Sequence, residues 1–153
     1  MALCFVRGCG DIGSAVAHAL FSAGHAVLIH DVPNPAFARR GMAYTDAMYD
    51  DAADLNGVTG RRTGDVFSVR WMIKQRREIP LVAGDFRKIL DCLRPQVLID
   101  ARMNKRSIPE RQSGLAPLTI GLGPHFVAGK TTDLVVETAW EALGRIVRTG
   151  ASL

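Results

Sequence analysis

The glycines at positions 8, 10 and 13 are the first residues of the chain whose spacing implies chemistry. The string Arg7-Gly8-Cys9-Gly10-Asp11-Ile12-Gly13 has the form GxGxxG. At a strand-to-helix junction the first glycine permits a tight turn. The second lets the backbone approach a pyrophosphate, and the third lets the helix pack closely on the strands. N–H groups at the helix start, helped by the helix dipole, then hold the phosphate oxygens. Asp31 stands about 20 residues beyond the loop, where a carboxylate accepts hydrogen bonds from a ribose diol. It would also repel the 2′-phosphate of NADP. The candidate cofactor-binding set is therefore Gly8, Cys9, Gly10, Asp11, Ile12, Gly13 and Asp31, for NAD or NADP with NAD favoured. Arg39-Arg40 would reverse that preference by folding back. The alternative is a tight turn that binds nothing. Cys9 is either a reactive thiol, since a helix N-terminus lowers a thiol pKa, or a small filler.

The pattern alone is weak, and its flanking elements carry the weight. Residues 2–6 form a short apolar run that predicts a buried strand. Residues 11–23 place Ile12, Val16, Ala19, Leu20 and Ala23 at helical spacing, with Gly24 at the stop. Residues 26–31 predict a second strand, completing one βαβ unit. Further on, the pattern predicts helices at 36–42, 66–77 and 86–93, and strands at 79–83, 97–101, 117–122 and 134–138. Residues 50–65 are rich in Asp and Gly and predict loop, with a short strand possible at Val58-Thr59. Residues 140–148 predict a final helix or turn. This alternation means an α/β fold, a Rossmann-like three-layer sandwich on a mainly parallel sheet, with residues 1–153 as one domain.

Composition narrows the classes. Apolar residues make up 48% and charged residues 22%, as in a soluble globular protein. No apolar run approaches the roughly 18 residues that a membrane span requires, and residues 1–6 lack the basic region of a signal peptide. Cys4, Cys9 and Cys92 form no CxxC pair and no metal-ligand spacing, so they predict free thiols in a reducing, cytoplasmic compartment. The net charge of +4 comes from scattered basic pairs, and only 7% of residues are aromatic, which argues against nucleic acid and for an anionic small ligand. A homodimer is the commonest assembly for such a protein.

Ligands of open parallel sheets sit outside the carboxyl ends of the strands. That directs attention to Asp31, Gly84-Asp85, Asp100-Ala101-Arg102, Gly121 to Pro124 and Glu137-Thr138. Lys105-Arg106 comes shortly after Asp100 and is suited to a phosphate or carboxylate, or is a solvated loop pair. His125, in a glycine-rich segment, is either an acid–base group or a loop histidine without chemistry. The stretch around Gly129-Lys130-Thr131 is not a P-loop: five residues separate Gly123 from Gly129, and the segment after Thr132 reads as strand. No Ser-His-Asp pattern, HExxH or metal-spaced cluster is present, so no catalytic residue can be named.

Taken in order, several strings resemble a known family. They are Arg7-Gly8-Cys9-Gly10-Asp11, Ala38-Arg39-Arg40, Gly57-Val58-Thr59, Leu98-Ile99-Asp100-Ala101, Lys105-Arg106, Ile120-Gly121-Leu122-Gly123-Pro124, Asp133-Leu134-Val135-Val136-Glu137-Thr138 and Leu143-Gly144-Arg145. The chain resembles the YqeB-type accessory proteins of selenium-dependent molybdenum hydroxylases, which are linked to xanthine-dehydrogenase-like enzymes. The resemblance implies a nucleotide-binding protein that matures or supports such a hydroxylase, and points to Arg40, Asp100, Lys105, Arg106 and Glu137 as one substrate or phosphate cluster. It departs at Cys9, where a smaller residue is usual, at Ser107, where asparagine is expected, and at His125, where glycine is usual. Members of that family also run well beyond the length seen here.

The expected function is a dinucleotide-binding accessory or maturation protein for a molybdenum hydroxylase, with a molybdopterin dinucleotide as a further conceivable ligand. Two alternatives stand beside it: a small NAD(P)-dependent oxidoreductase with Lys105 or Arg106 holding an anion and His125 donating a proton, and a nucleotide-sensing regulatory module without turnover.

Overall fold

A computed structural model of the chain describes residues 1–36 and 39–153. The first strand, β1 (Leu3–Arg7), shows how the layers arise. Side chains alternate across a strand, and β1 is apolar on both faces. Cys4 and Val6 pack with Val27 and Ile29 of β2 (Ala26–Asp31) and with Ala17 of helix α1 (Asp11–Ser22) on one side. Phe5 and Leu28 pack on the other side against Val69 of α3 (Val66–Gln75) and Ile89 and Leu90 of α4 (Phe86–Leu93). A strand buried on both faces belongs in a parallel sheet covered by helices.

The remaining elements are α2 (Ala47–Asp50), β3 (Ala52–Leu55), β4 (Val58–Arg62), β5 (Ile79–Ala83), β6 (Val97–Asp100), β7 (Leu118–Leu122), β8 (Val127–Ala128), β9 (Leu134–Val136), β10 (Ile146–Val147) and β11 (Gly150–Ala151). Among the described residues the main sheet has nine strands in the order β10-β9-β7-β6-β1-β2-β5-β4-β3, with β8 and β11 in a separate pair. The seven from β9 to β4 are parallel, and the outer strands β10 and β3 are antiparallel. Within that run β5-β2-β1-β6-β7-β9 follows the 3-2-1-4-5-6 order of a Rossmann sheet. The fold is thus the expected α/β sandwich. The chain reverses its direction of travel at β1 and β6, so the crevice of the sheet lies at their carboxyl ends.

Four local expectations change. Residues 52–62 are a β-hairpin, not loop. Asn56 and Gly57 both take positive φ, 53° and 85°, as a type I′ turn demands. Helix α3 stops at Gln75 because Arg76 turns left-handed at φ 54°. Residues 140–148 hold a 3₁₀ turn (Trp140–Ala142) and then β10, which pairs with β9. The helix expected at 36–42 falls partly on residues 37–38, outside the described residues, and 39–42 are turn and bend. No helix among the described residues is long and apolar enough to cross a membrane.

Candidate functional site

Each glycine of the loop meets a different physical demand. Gly8 sits at φ 107°, and a Cβ there would lie 2.9 Å from the Ala101 carbonyl oxygen. A Cβ on Gly13 would lie 1.9 Å from the Gly8 carbonyl oxygen, so only glycine lets α1 come this close to β1. At Gly10 a Cβ would meet nothing within 4 Å. Packing requires the first and third glycines and leaves the second facing open space.

The start of α1 also differs from those of the other two long helices, α3 and α4. Asp65 caps α3 by accepting the Ser68 N–H at 2.8 Å, and Asp85 caps α4 by accepting the Lys88 N–H at 3.1 Å. Helix α1 has Gly10 at its N-cap and no side-chain cap. The first-turn N–H groups of a helix have no partner within it, and no side chain caps them here.

The peptide of Cys9 is clamped at both ends. Its N–H donates to Asp31 Oδ2 at 2.9 Å, and its carbonyl accepts from Ser14 Oγ at 2.9 Å and Thr45 Oγ1 at 2.7 Å. Ser14 Oγ in turn accepts the Tyr44 N–H at 2.8 Å, which ties residues 44–46 against the loop. Asp31 therefore shapes the loop; its other oxygen accepts the Val32 N–H at 2.7 Å. Burial, reinforced by the negative charge of Asp31, pushes the Cys9 thiol up to about 12. Desolvation works against the helix terminus here, and Cys9 is fully enclosed in the core.

A cavity of about 420 Å³ opens at this point, lined in part by Gly10, Asp11, Ile12, Ala101, Arg102 and Lys105. That is within the roughly 300–1,000 Å³ of small-molecule sites. Beside it lies a charged network that the sequence shows only in pieces. In the sheet register His30, Arg7, Asp100 and Gly121 stand side by side. Asp100, 2% exposed, accepts from Arg102 Nε at 2.9 Å, Arg102 Nη2 at 2.6 Å and Gln112 Nε2 at 2.7 Å. Arg7 is buried, its guanidinium 3.7 Å from the centre of the Phe86 ring. Arg7 and Arg102 both bond to Glu110. Burial works to raise the Glu110 carboxyl, but the hydrogen bonds from the two arginines outweigh it and hold it down at about 2. His30 is buried with its Nε2 lying 2.9 Å from the Gly84 carbonyl oxygen, and burial lowers its pKa.

The five residues expected as one cluster have different surroundings. Arg40 pairs with Asp46 and Asp50. Asp100 is enclosed in the network above, and Lys105 lines the cavity beside Gly10. Arg106 is exposed. Glu137 is buried, accepting the Leu153 N–H at 2.8 Å through Oε2 while Oε1 has no partner. His125 takes φ 73° and places Nε2 3.0 Å from the Lys105 carbonyl oxygen, away from any carboxylate partner among the described residues. Arg7 and Glu110 are not among the residues expected from the sequence. The one available signal was an arginine directly before the glycine loop, at a strand end where a buried charge is unexpected. Among the described residues no group of His, Cys, Asp and Glu could hold a metal ion.

No protein-family model matches the chain, and no solved structure matches it. Among curated proteins, the chain is similar to the uncharacterized protein YqeB of Escherichia coli (strain K12), 34% identical over 98% of this chain, of which it spans 28% of the length.

Proposed function

We propose that this chain binds a dinucleotide of the NAD(P) type across the crevice between β1 and β6, as an accessory or maturation protein of a molybdenum hydroxylase. The observation that carries the binding is the uncapped start of α1 at Gly10, open beside a cavity of about 420 Å³, while Gly8 and Gly13 are fixed by packing. The residues present fit such a group. Backbone N–H groups at Gly10, Asp11 and Ile12 would hold the pyrophosphate, and Arg102 and Lys105 would offset its charge. Asp31 would hold the ribose diol. A nicotinamide dinucleotide, when bound, supplies hydride transfer. NAD is favoured over NADP because Asp31 opposes a 2′-phosphate and Arg40 is engaged with Asp46 and Asp50. The link to a molybdenum hydroxylase rests on the sequence resemblance, and a molybdopterin dinucleotide would suit the same pyrophosphate cradle.

A second reading, a small oxidoreductase, is favoured by the two cationic side chains that share the cavity with Gly10. Calorimetric titration with NAD, NADH, NADP and NADPH tests the binding. The expected result is NAD(H) binding that exceeds NADP(H) binding. No binding of any of the four would sink the nicotinamide reading. Affinity capture from native extract tests the partner, and repeated absence of a molybdenum enzyme would remove that part.

A further inference from the structure

The network at the ends of β1 and β6 reaches the surface through two of its members, Arg102 and Glu110. Arg7, Asp100 and Gln112 are buried, whereas the Arg102 side chain is 33% exposed and the Glu110 side chain 51% exposed. Glu110 belongs to the connection between β6 and β7, which carries no helix or strand at that point. Its two oxygens go to different partners: Oε1 accepts from Arg7 Nη1, and Oε2 accepts from Arg102 Nη2 at 3.0 Å. A single carboxylate thus bridges two arginines held in place by other groups. Arg7 is held by stacking on Phe86, and Arg102 by its fork on Asp100. Arg102 also lines the cavity beside Gly10.

We propose that Arg7 and Arg102 form a carboxylate-binding subsite beside the dinucleotide crevice, held by Glu110 in the unliganded protein and taken over by the carboxylate of a small-molecule substrate. In the exchange one carboxylate takes the place of another at the two guanidinium groups. The departure of Glu110 would leave Arg7 and Arg102 facing only Asp100, a net positive site. Stability gives no sufficient reason for the arrangement. An ion pair to a half-exposed carboxylate contributes about 0–1 kcal/mol. A buried arginine whose Nε has no partner is a cost that an apolar side chain would avoid. The adjoining cavity, lined by Asp100, Arg102 and Glu110, measures about 50 Å³ and restricts the incoming group to a small one. The subsite depends on the dinucleotide reading only in calling its ligand a co-substrate.

The test is calorimetric titration with oxalate at low ionic strength, with no nucleotide present. An internal competitor seated in about nine of ten molecules weakens an outside ligand about tenfold. Glu110→Ala is therefore expected to bind oxalate about tenfold more tightly than the wild-type chain. Adding Arg102→Ala, or Arg102→Gln where alanine prevents folding, should abolish that gain. Equal affinity in Glu110→Ala and wild type, or a gain that survives loss of Arg102, overturns the proposal. So does tighter binding of inorganic phosphate than of oxalate. Parallel titration of the same proteins with NAD separates the two readings: oxalate binding without NAD binding removes the dinucleotide and leaves the subsite.

Discussion

Gly10 and Gly13 offer a paired experiment, because the same substitution has opposite consequences three residues apart. In Gly13→Ala the new Cβ would stand 1.9 Å from the Gly8 carbonyl oxygen and 2.7 Å from its carbon. Both contacts are with backbone, so no side chain can swing aside. Helix α1 must withdraw from β1 by more than about 1 Å to restore ordinary contact, and the buried Ser14 and Ala17 move with it. Overpacking of this kind costs about 1–3 kcal/mol or more, against a gain of about 1 kcal/mol from replacing a helical glycine. With backbone on both sides the upper end applies. A net loss of roughly 2 kcal/mol lowers Tm by roughly 4–8 °C in a chain of this size. Gly10→Ala meets nothing within 4 Å, and its φ of −71° suits alanine. The poorer N-cap and the stiffer unfolded chain nearly cancel, leaving a change under about 0.5 kcal/mol. Its Cβ would nevertheless stand in the open space where the backbone must approach a pyrophosphate. Urea and thermal unfolding report the first effect, and calorimetric titration with NAD reports the second. Gly10→Ala should be as stable as wild type and lose binding. If it binds NAD as well as wild type does, the loop does not seat the pyrophosphate. If Gly13→Ala is as stable as wild type, the packing argument is wrong.

The geometry sets three further outcomes. Cys4 and Cys9 are buried and Cys92 is exposed, so a thiol reagent at pH 8 should label Cys92 fast and the other two only on unfolding; prompt labelling of Cys9 would contradict its place in the core. Glu110 is held below its ordinary 4.5, at about 2, so it contributes stability above pH 4.5 that fades as pH falls toward 2. Discounted for its half-exposed position the contribution is about 1 kcal/mol, and urea unfolding of wild type and Glu110→Gln should differ at pH 6 and converge near pH 2. His125 holds φ 73°, a conformation that costs a side chain about 1 kcal/mol, and its hydrogen bond to Lys105 is exposed; His125→Gly should leave Tm unchanged or raise it by a few degrees, and a clear fall would mean the imidazole contact outweighs the strain.

The sequence yields the first half of the fold more readily than the second. Strands β1 and β2 and helix α1 arise from apolar runs and i, i+4 spacing that local interactions satisfy. The hairpin β3–β4 was legible too, through Asn56-Gly57, but the surrounding Asp and Gly residues disguised short strands as loop. At the C-terminal end of the chain, periodicity fails for a physical reason. Residues 140–148 carry apolar side chains that are exposed in the folded chain, Trp140 and Leu143 among them, so no amphipathic face exists to read. The glycine loop was legible because the local packing of a strand-to-helix turn demands glycine at Gly8 and Gly13. The arginine–carboxylate network was not, because the register of β1 on β6 sets residue 7 beside residue 100, and the connection after β6 has to fold back to add residues 102, 110 and 112.

That register also explains why the charges lie where they do. Parallel order places Arg7 beside Asp100, and the next residues, Gly8 and Ala101, form the wall of the crevice. A carboxylate and a guanidinium buried at neighbouring strand ends cost stability relative to apolar residues of the same volume unless every polar atom is paired. Here Arg7 Nε and Gln112 Oε1 are not. Elsewhere along β1 and β6 the side chains from Cys4 to Val6 and from Leu98 to Ile99 obey the apolar rule for a doubly covered sheet. The rule breaks at one level only, at the strand ends where the sheet opens its crevice. Local rules of packing fail most often where a site needs a charge in a fixed place. The connection from β6 to β7 crosses this same level without a helix of its own, and Glu110 is the residue it contributes. A loop free of helical register can present a carboxylate to two arginines and withdraw it again, which a crossover helix packed on the sheet could not do.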